Sequence, residues 1–325
     1  MLIPFIKSLH HVPGVSFHEE AMFEALLSIL KEHNIDSSLI HSVRNSALIV
    51  GNPHAPFFVS AHIDEVGGKI IKEHEKGVYE ITGVGWVTPK MLAGESVNVC
   101  FTGKEYPSII TYDTPLDIGK ITSFQKLRLR SADTSVSFPS ETVFRYPPYF
   151  YETDEYILAN ALDNRLGVAE ILTYLITQKD RIDFTKIAFV FPGAEETESE
   201  GLKDVFSLYS PKIVLTLDML PHSFLSSSQS METVYFLKKT NDYTINTFFL
   251  PFLKGKNILP LISSFSLLED SEQKLIESWT KNMSLGLYTP VYNYHHGVYL
   301  LSKKTLQSAY EQTEKVIDEI QMSLM

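Results

Sequence analysis

His62, Asp163, Glu195, Glu196, Asp218 and His295 are side chains of the types that hold divalent cations, and they recur along this 325-residue chain at telling places. The apolar run Phe57-Phe58-Val59-Ser60-Ala61 stops at His62, with Asp64 two residues on. A second run, Lys186 to Phe191, leads through Pro192-Gly193-Ala194 to the adjacent acids Glu195 and Glu196, and a third, Ile213 to Leu217, stops at Asp218. Neighbouring carboxylates at the mouth of a core strand repel each other unless a cation holds them. Open α/β sheets bind ligands beyond the carboxyl ends of their strands.

Each residue taken singly has a plainer role. His62-Ile63-Asp64 could be a surface pair, Asp163 an N-cap, Glu195-Glu196 part of an acidic loop with Glu198 and Glu200, Asp218 a loop opener, and His295-His296 a solvated doublet. Together they fit one device. A two-metal hydrolytic site needs a bridging carboxylate, terminal histidine and acid ligands, and a free carboxylate to handle protons. The set contains each part once. By strand alternation, Asp64 would lie on the same face as His62 and fix its tautomer. Phosphate-binding glycine loops, a Gly-x-Ser-x-Gly elbow, Cys₂His₂ spacing and His-Glu-x-x-His are absent from the sequence.

The elements that must position these residues follow from periodicity. Ser16-Phe17-His18-Glu19 has capping-box form, and Met22, Leu26, Leu27 and Leu30 continue it as a helix over about 17–33. Strands are expected over 46–50 and 57–61. After Gly67-Gly68, short strand-like segments (78–82, 96–102, 108–111, 126–130, 135–138) suggest a small β-barrel or sandwich inserted into the α/β unit, and Tyr146-Pro147-Pro148-Tyr149 reads as the return linker. A helix is expected to start near Asp163. The runs ending at Glu195 and Asp218 flank a helix over 201–209, a spacing that argues parallel pairing by right-handed crossover. Residues 220–284 mix signals, and 304–322 is an amphipathic helix.

Composition narrows the function. A net charge of -11 without a basic stripe argues against nucleic acid, and no apolar run approaches the roughly 20 residues of a membrane span. The single cysteine, Cys100, lies in a strand-like run and is read as a structural thiol in a reducing compartment. A cytoplasmic location is the expectation.

Ala61-His62-Ile63-Asp64-Glu65-Val66-Gly67, Ala161-Leu162-Asp163-Asn164-Arg165, Glu195-Glu196 and Leu217-Asp218 resemble, in order, the motifs of the M42 glutamyl aminopeptidases. Weaker echoes are Pro13-Gly14-Val15-Ser16, Gly85-Trp86 and Asp117-Ile118-Gly119. The resemblance implies an α/β fold: a mixed-sheet, zinc-exopeptidase-like catalytic domain with helices on both faces (residues 1–68 and 155–325), and an inserted β-rich domain (69–154) for dimerisation and substrate access. It implies two divalent ions, Zn²⁺ or Co²⁺. His62, Asp163 and Asp218 would hold one, and Asp163, Glu196 and a C-terminal histidine, His295 rather than His296, the other. Glu195 would be the general base and Asp64 the residue that orients His62. Short peptides would be the substrates and a homo-oligomer, dimer or larger, the assembly. Tyr299 stands where the family commonly has an acid. Two other readings stay open, an amidohydrolase or deacylase on the same ions and a catalytically impaired binding protein on the peptidase fold.

Overall fold

The computed structural model describes residues 1–112, 121–225, 235–237, 276 and 283–324. Asp117-Ile118-Gly119 and most of 226–282 lie outside the described residues. In chain order the elements begin with helices α1 (Leu2–Leu9) and α2 (Glu20–Glu32) and strands β1 (Ile40–Val43), β2 (Ala47–Gly51) and β3 (Phe57–Ser60). Next come β4 (Gly67–Glu75), β5 (Val78–Val84), the short helix α3 (Pro89–Leu92), β6 (Ser96–Phe101), β7 (Lys104–Tyr112), β8 (Leu127–Ser131), β9 (Val143–Arg145), β10 (Phe150–Glu152) and β11 (Tyr156–Ala159). The chain continues with α4 (Leu162–Thr177), β12 (Ile187–Pro192), α5 (Glu200–Leu208), β13 (Ile213–Pro221), β14 (Tyr235–Leu237), β15 (Met283–Val291), β16 (Tyr299–Ser302) and α6 (Lys303–Ser323).

The main sheet is seven-stranded and mixed, in the order β1-β2-β12-β3-β13-β15-β14. Its centre is β3, fully buried and parallel to both β12 and β13. Contrary to the parallel pairing that their spacing argues, the strands on either side of α5 do not pair with each other. Each pairs with β3, whose unbroken Phe57-Phe58-Val59 run requires cover on both faces. Alternation divides the load. Phe57, Val59, Phe189, Phe191, Leu215 and Leu217 join the cluster containing α1, α2, α4 and α6, while Phe58, Ala188, Val190 and Val214 pack against Leu202 and Val205 of α5.

Helix α4 is the buried spine, enclosed from Leu162 to Leu175. Against it lies α1, which is not among the helices expected from the sequence although Leu2, Phe5, Ile6 and Leu9 recur at helical spacing and are buried. Complete burial of Ile6 and Leu9 contributes roughly 1.5–3 kcal/mol each. No helix among the described residues is long and apolar enough to cross a membrane.

Strands β4 to β9 close a small barrel in the order β4-β5-β8-β7-β6-β9 around Ile70, Ile81, Val99, Ile110, Leu129 and Phe144. Residues 135–138 form no strand. Asp133 instead accepts the Ser135 N–H in a tight turn, and the loop inserts Phe138 beside Tyr79, whose hydroxyl accepts the Phe138 N–H at 3.2 Å. Burial pushes the Cys100 thiol up to about 12, so it is an inert part of the barrel wall. A three-stranded sheet, β10-β11-β16, lies against the main core.

Candidate metal centre

Three strand ends and one helix start converge. After Ser60 the backbone leaves β3 and carries His62 and Asp64 inward, both buried. Strand β13 runs three residues past Asp218, so that ligand type sits inside the strand rather than at its end. The Asp163 reading also changes. Asn164, not Asp163, caps the helix: its Oδ1 accepts the Gly167 N–H at 3.0 Å and its Nδ2 donates to Leu217 O at 2.6 Å. The Asp163 carboxylate is thereby free to face the centre.

Asp163 divides the centre. Its Oδ1 lies 3.1 Å from His62 Nε2, which is also 3.7 Å from Glu195 Oε2 and 3.8 Å from Asp218 Oδ1. Its Oδ2 lies 3.4 Å from His295 Nε2, and that nitrogen is 3.3 Å from Glu196 Oε2. His62, Asp163 and Glu196 bring ligand atoms within 4.8 Å of one another. Asp163 Oδ2, Glu196 Oε1 and His295 Nε2 are buried with no hydrogen-bond partner. Orphaned atoms of this kind are what a cation would satisfy.

The electrostatics agree. Burial opposes charge on His62 and His295, yet the surrounding carboxylates, Glu195 foremost for His62 and Glu196 for His295, hold both imidazoles well above their ordinary proton affinity. Burial also acts against a charged Asp163, but the His295 and His62 rings keep it ionised below the usual carboxylate range. Burial and the nearby Asp163 charge push Glu196 and Asp218 up. Carboxylates outnumber the imidazoles, so the cluster is short of positive charge even with both rings protonated.

The supports are more extensive than the sequence discloses. Asp64 lies 3.4 Å from His62 Nδ1, accepts the N–H groups of Glu195 and Glu196 at 3.0 Å each, and accepts the Ser16 hydroxyl at 2.7 Å. Ser16 and Glu19 therefore do not form the expected reciprocal capping box. Glu19 Oε1 accepts the N–H of Phe17 and, at 2.8 Å, that of Ala194, and α2 starts only at Glu20. His295 rather than exposed His296 faces the acids. Its Nδ1 is 3.1 Å from the carbonyl of Trp86, and its backbone N–H donates to the Tyr299 hydroxyl. The tyrosine at the acid position thus braces the histidine loop. Trp86 arrives on a segment just after β5, where the sequence shows only a glycine turn.

A cavity of about 750 Å³ opens onto Glu195, Glu196, Asp218 and His295. Two buried arginines join the barrel to this floor. Arg145 donates to the carbonyls of His11 and Val12 and pairs with Glu65 and Glu105, and Arg165 donates to the carbonyls of Ile63 and Val12.

Comparison with known proteins places these observations in a family. The description "M42 glutamyl aminopeptidase" matches residues 47–238. A protein of Acetivibrio thermocellus named as a candidate aminopeptidase is 23% identical over 241 residues, 71% of this chain and 70% of its own. The Pyrococcus horikoshii TET1 peptidase, described as assembling into a tetrahedron or a large octahedral shell, is 18% identical with a TM-score of 0.79, covering 97% of this chain and 99% of that one. The TET aminopeptidase of Thaumarchaeota archaeon SCGC AB-539-E09 is 15% identical with a TM-score of 0.82, covering 97% of this chain and 96% of that one.

Proposed function

The chain belongs to the M42 glutamyl aminopeptidase family, and on that premise we propose that it removes N-terminal residues from short peptides at a dinuclear metal site with Glu195 as general base. The observation that carries this reading is the divided Asp163 carboxylate, one oxygen toward His62 and the other toward His295. His62, Asp163 and Asp218 would hold one ion and Asp163, Glu196 and His295 the other. Imidazoles mixed with carboxylates suit Zn²⁺ or Co²⁺.

When bound, such ions acidify water and polarise a peptide carbonyl. The rest is the work of the chain. Glu195 Oε2 takes a proton from the attacking water and delivers it to the departing amide nitrogen. Its side chain is a tenth exposed and lines the cavity, so it reaches both. Asp64 stays ionised behind it: burial disfavours its charge, but His62, the Ser16 hydroxyl and the Glu195 N–H offset that and lower its pKa. It presents His62 Nε2 to the centre through Nδ1. The shells described for the TET1 peptidase support a homo-oligomer here, with the β-rich residues 69–154 as the segment proposed to mediate dimerisation and substrate access.

The test is Glu195→Gln. Metal analysis after dialysis against Zn²⁺ should give two ions per chain in both proteins, with the same rise in melting temperature on metal addition. Turnover of aminoacyl anilides should fall by about 10³-fold or more in the variant. Unchanged turnover removes Glu195 from its role, and one ion or none removes the dinuclear site.

A further inference from the structure

We infer that the cavity selects peptides whose first residue is large and apolar, aromatic above all, and rejects acidic first residues, with the Trp86 indole as the selecting wall. This rests on the aminopeptidase reading and deepens it. The apolar part of the cavity's lining is Trp86, Met91, Phe224 and Tyr294, with the buried Met219 and Pro221, and polar residues such as His222, Asn293 and His296 complete it.

Contacts tie these walls to the reacting end. Tyr294 stacks on His295 with ring centroids 3.9 Å apart. The Trp86 carbonyl holds His295 Nδ1 while the residue, which lines the cavity, stays 56% exposed. An indole left open beside a site is surface for a ligand to cover, and aromatic partners gain most from it. A side chain next to the scissile bond therefore meets rings and thioethers.

Charge points the same way. Among the described residues lining the cavity there is no lysine or arginine, whereas Glu195, Glu196 and Asp218 are all present. An acidic side chain entering here would give up water with no lysine or arginine among the described lining residues to pair with. A lysine head would find the carboxylates only where they are proposed to hold the ions, and elsewhere would be desolvated against methionine and aromatic walls. The glutamyl preference in the family's name is the one this pocket is least suited to.

The experiment compares the metal-loaded protein on p-nitroanilides of Phe, Met, Leu, Ala, Lys and Glu. We expect Phe, Met and Leu to lead, with kcat/KM for Glu lower by about 100-fold or more. Trp86→Ala keeps the backbone carbonyl and so the His295 contact; it should lower kcat/KM for Phe-anilide about tenfold more than for Ala-anilide. A Glu or Lys optimum, or equal losses on Phe and Ala substrates, overturns the inference and leaves the peptidase reading standing. If no anilide is cleaved, the peptidase reading falls, and a second measurement still decides the pocket. In a Trp279→Phe background Trp86 is the remaining tryptophan of the chain's two. Phenylalanine amide should shift its fluorescence at concentrations where glutamate α-amide does not, and the reverse order overturns the assignment.

Discussion

Asp64 Oδ1 accepts the backbone N–H of Glu195 at 3.0 Å, joining positions 131 residues apart. The other oxygen accepts the N–H of Glu196, so one buried carboxylate holds the peptides of the proposed base and of an adjacent proposed ligand while facing His62. Asp64→Ala should reduce kcat about 10- to 100-fold and weaken metal affinity by a similar factor, the usual cost of losing an outer-shell partner. Asp64→Asn should recover part of both, because its amide oxygen still accepts one N–H. Metal titration monitored by thermal shift, alongside kcat, checks this.

The loop carrying these acids is packed through glycines. A Cβ on Gly201 would stand 2.4 Å from Ser46 O and 2.6 Å from Gly193 N, both of them backbone atoms that cannot swing away. Gly201→Ala should destabilise the protein by about 1–3 kcal/mol. It should also lower kcat, because Gly193 is two residues before Glu195. Denaturant midpoints and kcat in the same preparation test the link.

Glu170 lies inside the core on α4, and its Oε2 accepts the Thr313 hydroxyl of α6 at 2.6 Å. Burial pushes its pKa up to about 8 from an ordinary 4.5. Between those values the folded chain holds a proton that the unfolded chain has released. Stability contributed by this group is full below about pH 4.5 and is lost as pH rises toward 8, at roughly 1.4 kcal/mol per unit. Glu170→Gln, which cannot ionise and can still accept from Thr313, should flatten that decline. Thermal unfolding from pH 5 to 8.5 measures it.

Arg145 is wholly buried, and its guanidinium spans the barrel and the loop that precedes Gly14. Arg145→Ala leaves Glu65 with Arg165 at 3.6 Å and the Gly14 N–H, Glu105 with the Asn98 amide and the Val12 carbonyl with Arg165, but it removes the ion pair to Glu105 and the guanidinium donor to the His11 carbonyl. A loss of about 3 kcal/mol is expected. Arg145→Lys should recover little, since a single ammonium cannot reproduce the forked donors. Urea unfolding of the two variants distinguishes these outcomes.

The candidate site was legible because metal-ligand residue types interrupt otherwise apolar runs. His62 and the Glu195-Glu196 pair lie within a few residues of strand ends that hydrophobic patterning marks, whereas Asp218 lies inside β13, which continues to Pro221. The supports were not legible in the same way. Ser16 and Glu19 look like helix-capping residues in sequence, yet they serve Asp64 and Ala194 across the fold. Residues 135–138 alternate like a strand, but a turn at Asp133 and the demand of the barrel core for Phe138 decide otherwise.

The sequence by itself determined which residue types were available, that they follow buried strands, and that a β-rich segment separates His62 from Asp163, because burial and periodicity are local properties of a chain. Only the tertiary structure decided that β3 lies between β12 and β13, that Asn164 relieves Asp163 of capping, and that Trp86 holds His295. Those outcomes depend on contacts between positions that are close in space and far apart in sequence, and no local pattern specifies which distant partner a polar atom will meet.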